Sequence, residues 1–247
     1  MICKTIDEVI ANLDTIVHRC KLEQSSLGYF AVLYRKVTKR VKRGILLTEF
    51  EDNIRMEHLV VHFANRYFEA YDLYMQGKSS TQSWLIPFKA CKQSGFIILQ
   101  HLLAGINAHI NLDLGIAALQ AAGDKSLHSI EKDFNTINRI LSEMVDEVER
   151  GISRVSPVFK LLMPLAGNHD EIFINFSINL ARDGAWKFAN ELALSNNSAQ
   201  LIQERDRCIS VLATKLFSPA TRLRWVLRTI SWLEWRSVAS NLSILEK

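Results

Sequence analysis

Apolar residues recur at three- and four-residue steps along nearly the whole chain, the spacing of amphipathic helices. Thr5-x-x-Glu8 forms a capping box before Ile6, Val9, Ile10, Leu13, Ile16, Val17 and Cys20. A second helix is predicted from about Leu27 to Arg43, stopping at Gly44 as a C-cap. Asp52 or Asn53 caps a third, which carries Met56, Leu59, Val60, Phe63, Tyr67, Tyr71 and Tyr74 and ends at Gly77. A short helix is expected around Trp84–Lys92, a long one over Leu127–Arg154, and others over Asp170–Leu194 and Ala199–Leu216, the last capped by Ser198. Ser156-Pro157 and Pro164 bracket an irregular stretch, and Pro219 opens a final basic segment over 219–247. No window alternates as a strand would, and there is no internal repeat or long linker. The expectation is a single all-α domain over 1–247: a multi-helix bundle.

One helix differs from the rest. Ile97–Ala121 is apolar nearly all round, which marks a helix buried inside a bundle. Yet it carries His101, Asn107, His109, Asn111 and Asp113. Burying such groups costs roughly 1–3 kcal/mol each unless each finds a partner. At 100° per residue, His109 and Asp113 share one side and Asn107 and Asn111 the opposite one. His101 falls between them, in line with Gly105, Ala108, Leu112 and Gly115, a stripe small enough for close helix approach. Three readings stay open: a divalent metal site (Zn or Fe) with ligands His101, His109 and Asp113; a metal-free catalytic or ligand site in which a carboxylate sets a histidine tautomer; and a structural network fixing helix register.

Composition narrows the field. The chain has 247 residues, enough for a large core. Its net charge of +4 is not the footprint of an obligate nucleic-acid binder, and no nucleic-acid partner is expected. The four cysteines are scattered without a C-x-x-C pair and read as reduced thiols, and the N-terminus has no cleavable signal pattern, so a cytoplasmic location is expected. Only the central helix approaches a membrane span in length, and its Asp and two His argue against one. Phosphate-binding glycine loops, H-E-x-x-H, G-x-S-x-G and aspartate-rich magnesium motifs are all missing.

Other polar positions cluster on neighbouring helices. Arg55 and Arg66 on the third helix have the guanidinium forks that match a ligand carboxylate or phosphate; the plain reading pairs Arg55 with Glu51 or Asp52. Asp133 is a candidate partner for a central histidine or Arg66. Arg182, seven residues after Asn175, is a candidate to neutralise Asp113 or Asp133. In the segment 222–236, Trp225, Trp232 and Trp235 alternate with Arg222, Arg224, Arg228 and Arg236. That pattern fits a peripheral membrane contact, but the tryptophans are expected to pack on the bundle.

The blocks RMEHLVVHFANRYFEAYD and LQHLLAGINAHINLDLGIA resemble the signature blocks of a bacterial family of helical proteins of unknown function. The likeness runs from TIDEVIANLD to Arg182-Asp183. It implies that Arg55, Asn65, Arg66, Tyr67, His101, Asn107, His109, Asn111 and Asp113 are the matching positions. The spacing of His101 and His109 is also similar to the zinc phospholipase C and P1 nuclease class. It departs from that class at Gly105, where an Asp ligand would help, and in lacking an amino-terminal Trp. The residues together predict a small-molecule enzyme, possible metal dependence and hydrolase-like chemistry included, with His101, His109 and Asp113 catalytic. Arg55, Asn65, Arg66, Tyr67, Asn107, Asn111 and Arg182 are the expected substrate contacts. The alternatives are a binding protein for an amphipathic ligand and a scaffold with a buried polar network.

Overall fold

The structure is a computed structural model and describes residues 1–156, 178–234 and 236–247. It is an all-α bundle, and no strand occurs among the described residues. The elements are α1 (Ile6–Leu22), α2 (Gly28–Leu46), α3 (Asn53–Met75), α4 (Gln82–Ala90), α5 (Ile98–Ala108), a π-helical turn (His109–Asp113), α6 (Leu114–Ala122), a 3-10 turn (Leu127–Ile130), α7 (Glu131–Val155), α8 (Ile178–Leu194), α9 (Ser198–Phe217), α10 (Thr221–Leu233) and α11 (Val238–Leu245). The irregular stretch expected around Pro157 and Pro164, and Asn175, lie outside the described residues.

Local chemistry sets most helix starts. The Thr5 hydroxyl accepts from Glu8 N at 3.2 Å, and the Asp52 carboxylate accepts from Arg55 N at 3.0 Å. Asn197 rather than Ser198 caps α9, accepting from Gln200 N. Gly44 does not end α2. It sits buried one turn from the end, with Phe50 packed where a Cβ would stand, so it serves close packing rather than a cap.

The predicted central helix is the axis of the molecule, but it is not one regular helix. α5, the π turn and α6 form a continuous rod wrapped by α2, α3, α4, α8 and α9. Ile98–Ala122 is long and apolar enough to cross a bilayer, and most of that stretch is buried inside the fold. The small-residue stripe admits two different neighbours. Phe30 of α2 lies against Gly105, and the backbone of α8 at Ala185 lies against Gly115.

The C-terminal segment departs from expectation. Leu223, Leu227 and Ile230 form the buried stripe of α10 and close on Ile97 and Leu99. Trp225 and Trp232, seven residues apart on the other face, are 66% and 68% exposed, with Arg228 over the Trp232 ring at 6.0 Å. Aliphatic side chains at the right spacing already fill the seam, which leaves the tryptophans outside it. Trp235 lies outside the described residues.

The close approach at Gly105 carries a prediction. A Cβ there would stand 2.5 Å from Phe30 Cδ2 and 2.6 Å from Cγ, far inside van der Waals contact. Gly105→Ala is expected to cost roughly 1–3 kcal/mol, despite alanine's better helix propensity. Denaturant unfolding that shows the variant as stable as the parent would contradict this packing.

Candidate functional site

The site is built around the π turn. A π turn adds a residue to a helical turn and disturbs its hydrogen-bond ladder, and such turns recur at functional sites. Here α9 supports it. Arg205 Nε donates to the Asn111 carbonyl at 3.0 Å, Asn111 Nδ2 donates to Asn107 Oδ1 at 3.0 Å, and Asn107 Nδ2 donates to the Ile209 carbonyl at 3.1 Å. Asn107 and Asn111, expected as substrate contacts, therefore hold the turn and α9 together.

On the opposite side the turn places His109 and Asp113, 3% and 1% exposed. Asp113 Oδ2 accepts from Trp84 Nε1 at 2.8 Å and lies 3.2 Å from His109 Nδ1; Oδ1 accepts from Arg66 Nε at 3.3 Å. A carboxylate has no hydrogen to give, so His109 carries its proton on Nδ1 and its lone pair on Nε2. Burial pushes the His109 pKa below its usual value; the bond and charge of Asp113 oppose that shift, and Arg66 adds to it. The ring is fixed by aromatic neighbours. Phe63 stacks on it nearly parallel at 3.5 Å between centroids, and Tyr34 meets it edge-on at 4.5 Å.

His109 Nε2 has no hydrogen-bond partner. His109 lines a cavity of about 190 Å³ between α2, α3, the central rod and α7. Its walls are aliphatic and aromatic: Val37, Val41, Leu59, Val60, Phe63, Ile110, Leu114, Ile137, Leu141 and Met144 among them. Three further polar side chains line it: Thr38, whose hydroxyl donates to the Tyr34 carbonyl at 2.8 Å, and Tyr34 and Arg182. Tyr34 is wholly buried, its hydroxyl has no partner, and burial followed by the nearby Asp113 charge holds its pKa well above the usual value. Arg182 is fully buried. Its Nη2 donates to the Phe134 carbonyl at 2.7 Å, while Nε and Nη1 have no partner. Burial brings its pKa down to about 9. Three unsatisfied polar groups on one apolar cavity are costly to a fold and informative about its use.

Several expected site residues are elsewhere. His101 does not join His109 and Asp113. It lies one side over, with Cys91 Sγ 3.6 Å from its Nδ1 and the rings of Tyr29, Phe96 and Phe217 around it, and burial lowers its pKa to about 4. It lies eight positions, about 12 Å, from His109 along the rod; Phe30 and Trp84, which pack on the His109 ring, line a small pocket with His101. Among the described residues no group of three His, Cys, Asp or Glu side chains could hold a metal ion, so the expected Zn or Fe ligand set of His101, His109 and Asp113 is not assembled. Arg55 Nη2 donates to Asp133 Oδ2 at 3.1 Å, and Asp133 also accepts from Glu51 N and Asp52 N. That pair ties the start of α3 to α7 and gives Arg55 a carboxylate partner within the fold, and Asp133 meets neither a central histidine nor Arg66. Arg182 neutralises neither Asp113 nor Asp133. Asn65 brackets the Cys3 backbone, accepting from its N–H and donating to its carbonyl. Tyr67 is buried in the aromatic cluster of Phe30, Tyr34 and Trp84. Trp84 and Tyr34 escaped the sequence reading because an aromatic at core spacing looks the same whether or not its polar tip is used.

Fold and site together define a class: an all-α bundle holding a buried His–Asp pair against an apolar cavity. The chain belongs to the family of unknown function DUF5995, whose model matches residues 6–219. Comparison with curated proteins and with solved structures finds no match.

The two members of the pair should respond differently to removal. Asp113→Ala leaves the buried Trp84 N–H unpaired and is expected to cost about 1–3 kcal/mol. His109→Leu removes one of three donors to Asp113 but also a buried nitrogen without a partner, and it keeps apolar volume, so the melting temperature should fall less than in Asp113→Ala. Equal, large losses in both variants would make the pair a purely structural network.

Proposed function

We propose that the protein is a proton-transfer enzyme for a small, largely apolar carbonyl compound, with His109 as general base. The observation that carries this reading is the unpartnered Nε2 of His109 in an apolar cavity, with the tautomer held by Asp113. In the proposed step Nε2 takes a proton from the carbon next to the carbonyl. The C–H electron pair passes into an enolate, and the Tyr34 hydroxyl donates a hydrogen bond to its oxygen. Returning the proton to the same carbon completes an exchange or inversion there; in a substrate with a double bond conjugated to the enolate, returning it to the far end of that dienolate completes an isomerisation. A base paired with a buried hydroxyl donor in a dry site is a recurrent arrangement for this chemistry. His101 and a metal have no part in the step.

The test uses phenylacetone, a small neutral ketone, in heavy water, with deuterium uptake next to the carbonyl followed by NMR. The protein is expected to accelerate uptake, and His109→Leu to reduce the acceleration by about 10²–10⁴-fold, the usual worth of a positioned base. Tyr34→Phe should slow it while leaving its pH dependence unchanged. Because the His109 pKa is lowered from 6.5, the base form persists through neutral pH; the rate should level off below pH 6.5 and fall only under more acid conditions. Uptake equal in the parent and His109→Leu would overturn the reading. Phenylacetone that binds, seen as a raised melting temperature, without exchange would leave a binding site only.

A further inference from the structure

We infer that the natural ligand of the cavity is a monocarboxylate with a compact apolar body, and that Arg182 is the residue that selects it. The inference rests on the acid–base reading of the same cavity and adds a substrate class to it. Of the three arginines expected as substrate contacts, two are paired: Arg55 with Asp133 and Arg66 with Asp113. Arg182 is the one left without a carboxylate among the described residues. It is 0% exposed, and its contacts are the Phe134 carbonyl and the Phe134 ring, 4.8 Å from the guanidinium carbon. Its neighbour in sequence, Asp183, is exposed.

A buried guanidinium without a counter-ion is among the least favourable groups a core can hold. Natural cores keep few of them without a use. Here Nε and Nη1, two donors of the planar fork, remain unsatisfied in a residue that lines the cavity. Nε and Nη1 face different edges of the guanidinium, so a carboxylate accepts from one of them and, on the same edge, from the second hydrogen of Nη2. The ligand would supply the missing anion, and the rest of it would lie among the apolar walls. The cavity volume of about 190 Å³ sets the size; an engineered apolar cavity of roughly 150 Å³ takes one benzene ring. One ring or a short chain attached to a carboxylate therefore fits, and a long-chain lipid does not.

The experiment compares phenylacetate with phenylacetamide, equal in shape and different in charge, by calorimetry and thermal shift. Phenylacetate is expected to bind at least about tenfold more tightly, the order of a single charge-assisted hydrogen bond. In Arg182→Met that preference should vanish, and the unliganded variant should melt no lower than the parent because an unpaired buried charge has gone. Arg182→Lys should keep part of the preference, and it serves as the readout if the methionine variant does not fold. Phenylacetamide bound as tightly as phenylacetate, or a tenfold preference surviving in Arg182→Met, would overturn the inference. His109→Leu separates this claim from the enzymatic one: it should still bind phenylacetate. Phenylacetate binding without deuterium uptake from phenylacetone would sink the base and spare the anion site; uptake without any carboxylate preference would do the reverse.

Discussion

The Asp113 carboxylate is the constraint on which the site depends. It is 1% exposed and gathers donors from three elements: Trp84 from α4, Arg66 from α3 and His109 from its own turn. A carboxylate so deeply buried is tolerable only when its lone pairs are filled. Filling them fixes where α3 and α4 sit against the central rod. It also decides the chemistry of His109, because the nitrogen facing the carboxylate must carry the hydrogen. The other nitrogen is then bare on the cavity side. One electrostatic requirement thus links helix packing to the tautomer of a single ring.

The π turn makes this arrangement reachable. α9 secures one side of the turn through Arg205 and the Asn107–Asn111 pair, while His109 and Asp113 occupy the other. The asparagines therefore serve the site without touching the cavity. Phe63 and Tyr34 then hold the imidazole by stacking and edge contact. A ring gripped on its face, on its edge and at one nitrogen has little freedom left, and that preorganisation is what a general base needs.

The fold was readable because helical periodicity is a local signal. Thr5 and Asp52 announced their helices, and the absence of alternation excluded sheets. The rod was legible as a buried helix, and its five polar residues marked the centre of interest. Their division of labour was not. A projection at 100° per residue assumes a regular helix, and the π turn breaks that regularity in the stretch that matters. The projection set His101 between the two polar sides without its axial distance, and eight positions put it about 12 Å along the rod from His109. Charge pairing was also opaque. Arg55, Arg66 and Arg182 look alike in sequence, and only tertiary packing shows that Asp133 and Asp113 pair with the first two and that Arg182 has no acid partner among the described residues. The exposed Trp225 and Trp232 teach the same lesson from the surface, since Leu223, Leu227 and Ile230 had already filled the seam.

The central claim is that His109 is neutral, with its hydrogen on Nδ1 and a free lone pair on Nε2. Nitrogen-15 NMR of the labelled imidazole reports this directly, since protonated and bare ring nitrogens resonate far apart. At pH 7.5, above the ordinary histidine value from which burial lowers His109, one protonated and one bare nitrogen are expected, the protonated one being Nδ1, with a mixed or inverted tautomer in Asp113→Asn. A neutral ring with its hydrogen on Nε2, or a protonated ring at pH 7.5, would contradict it.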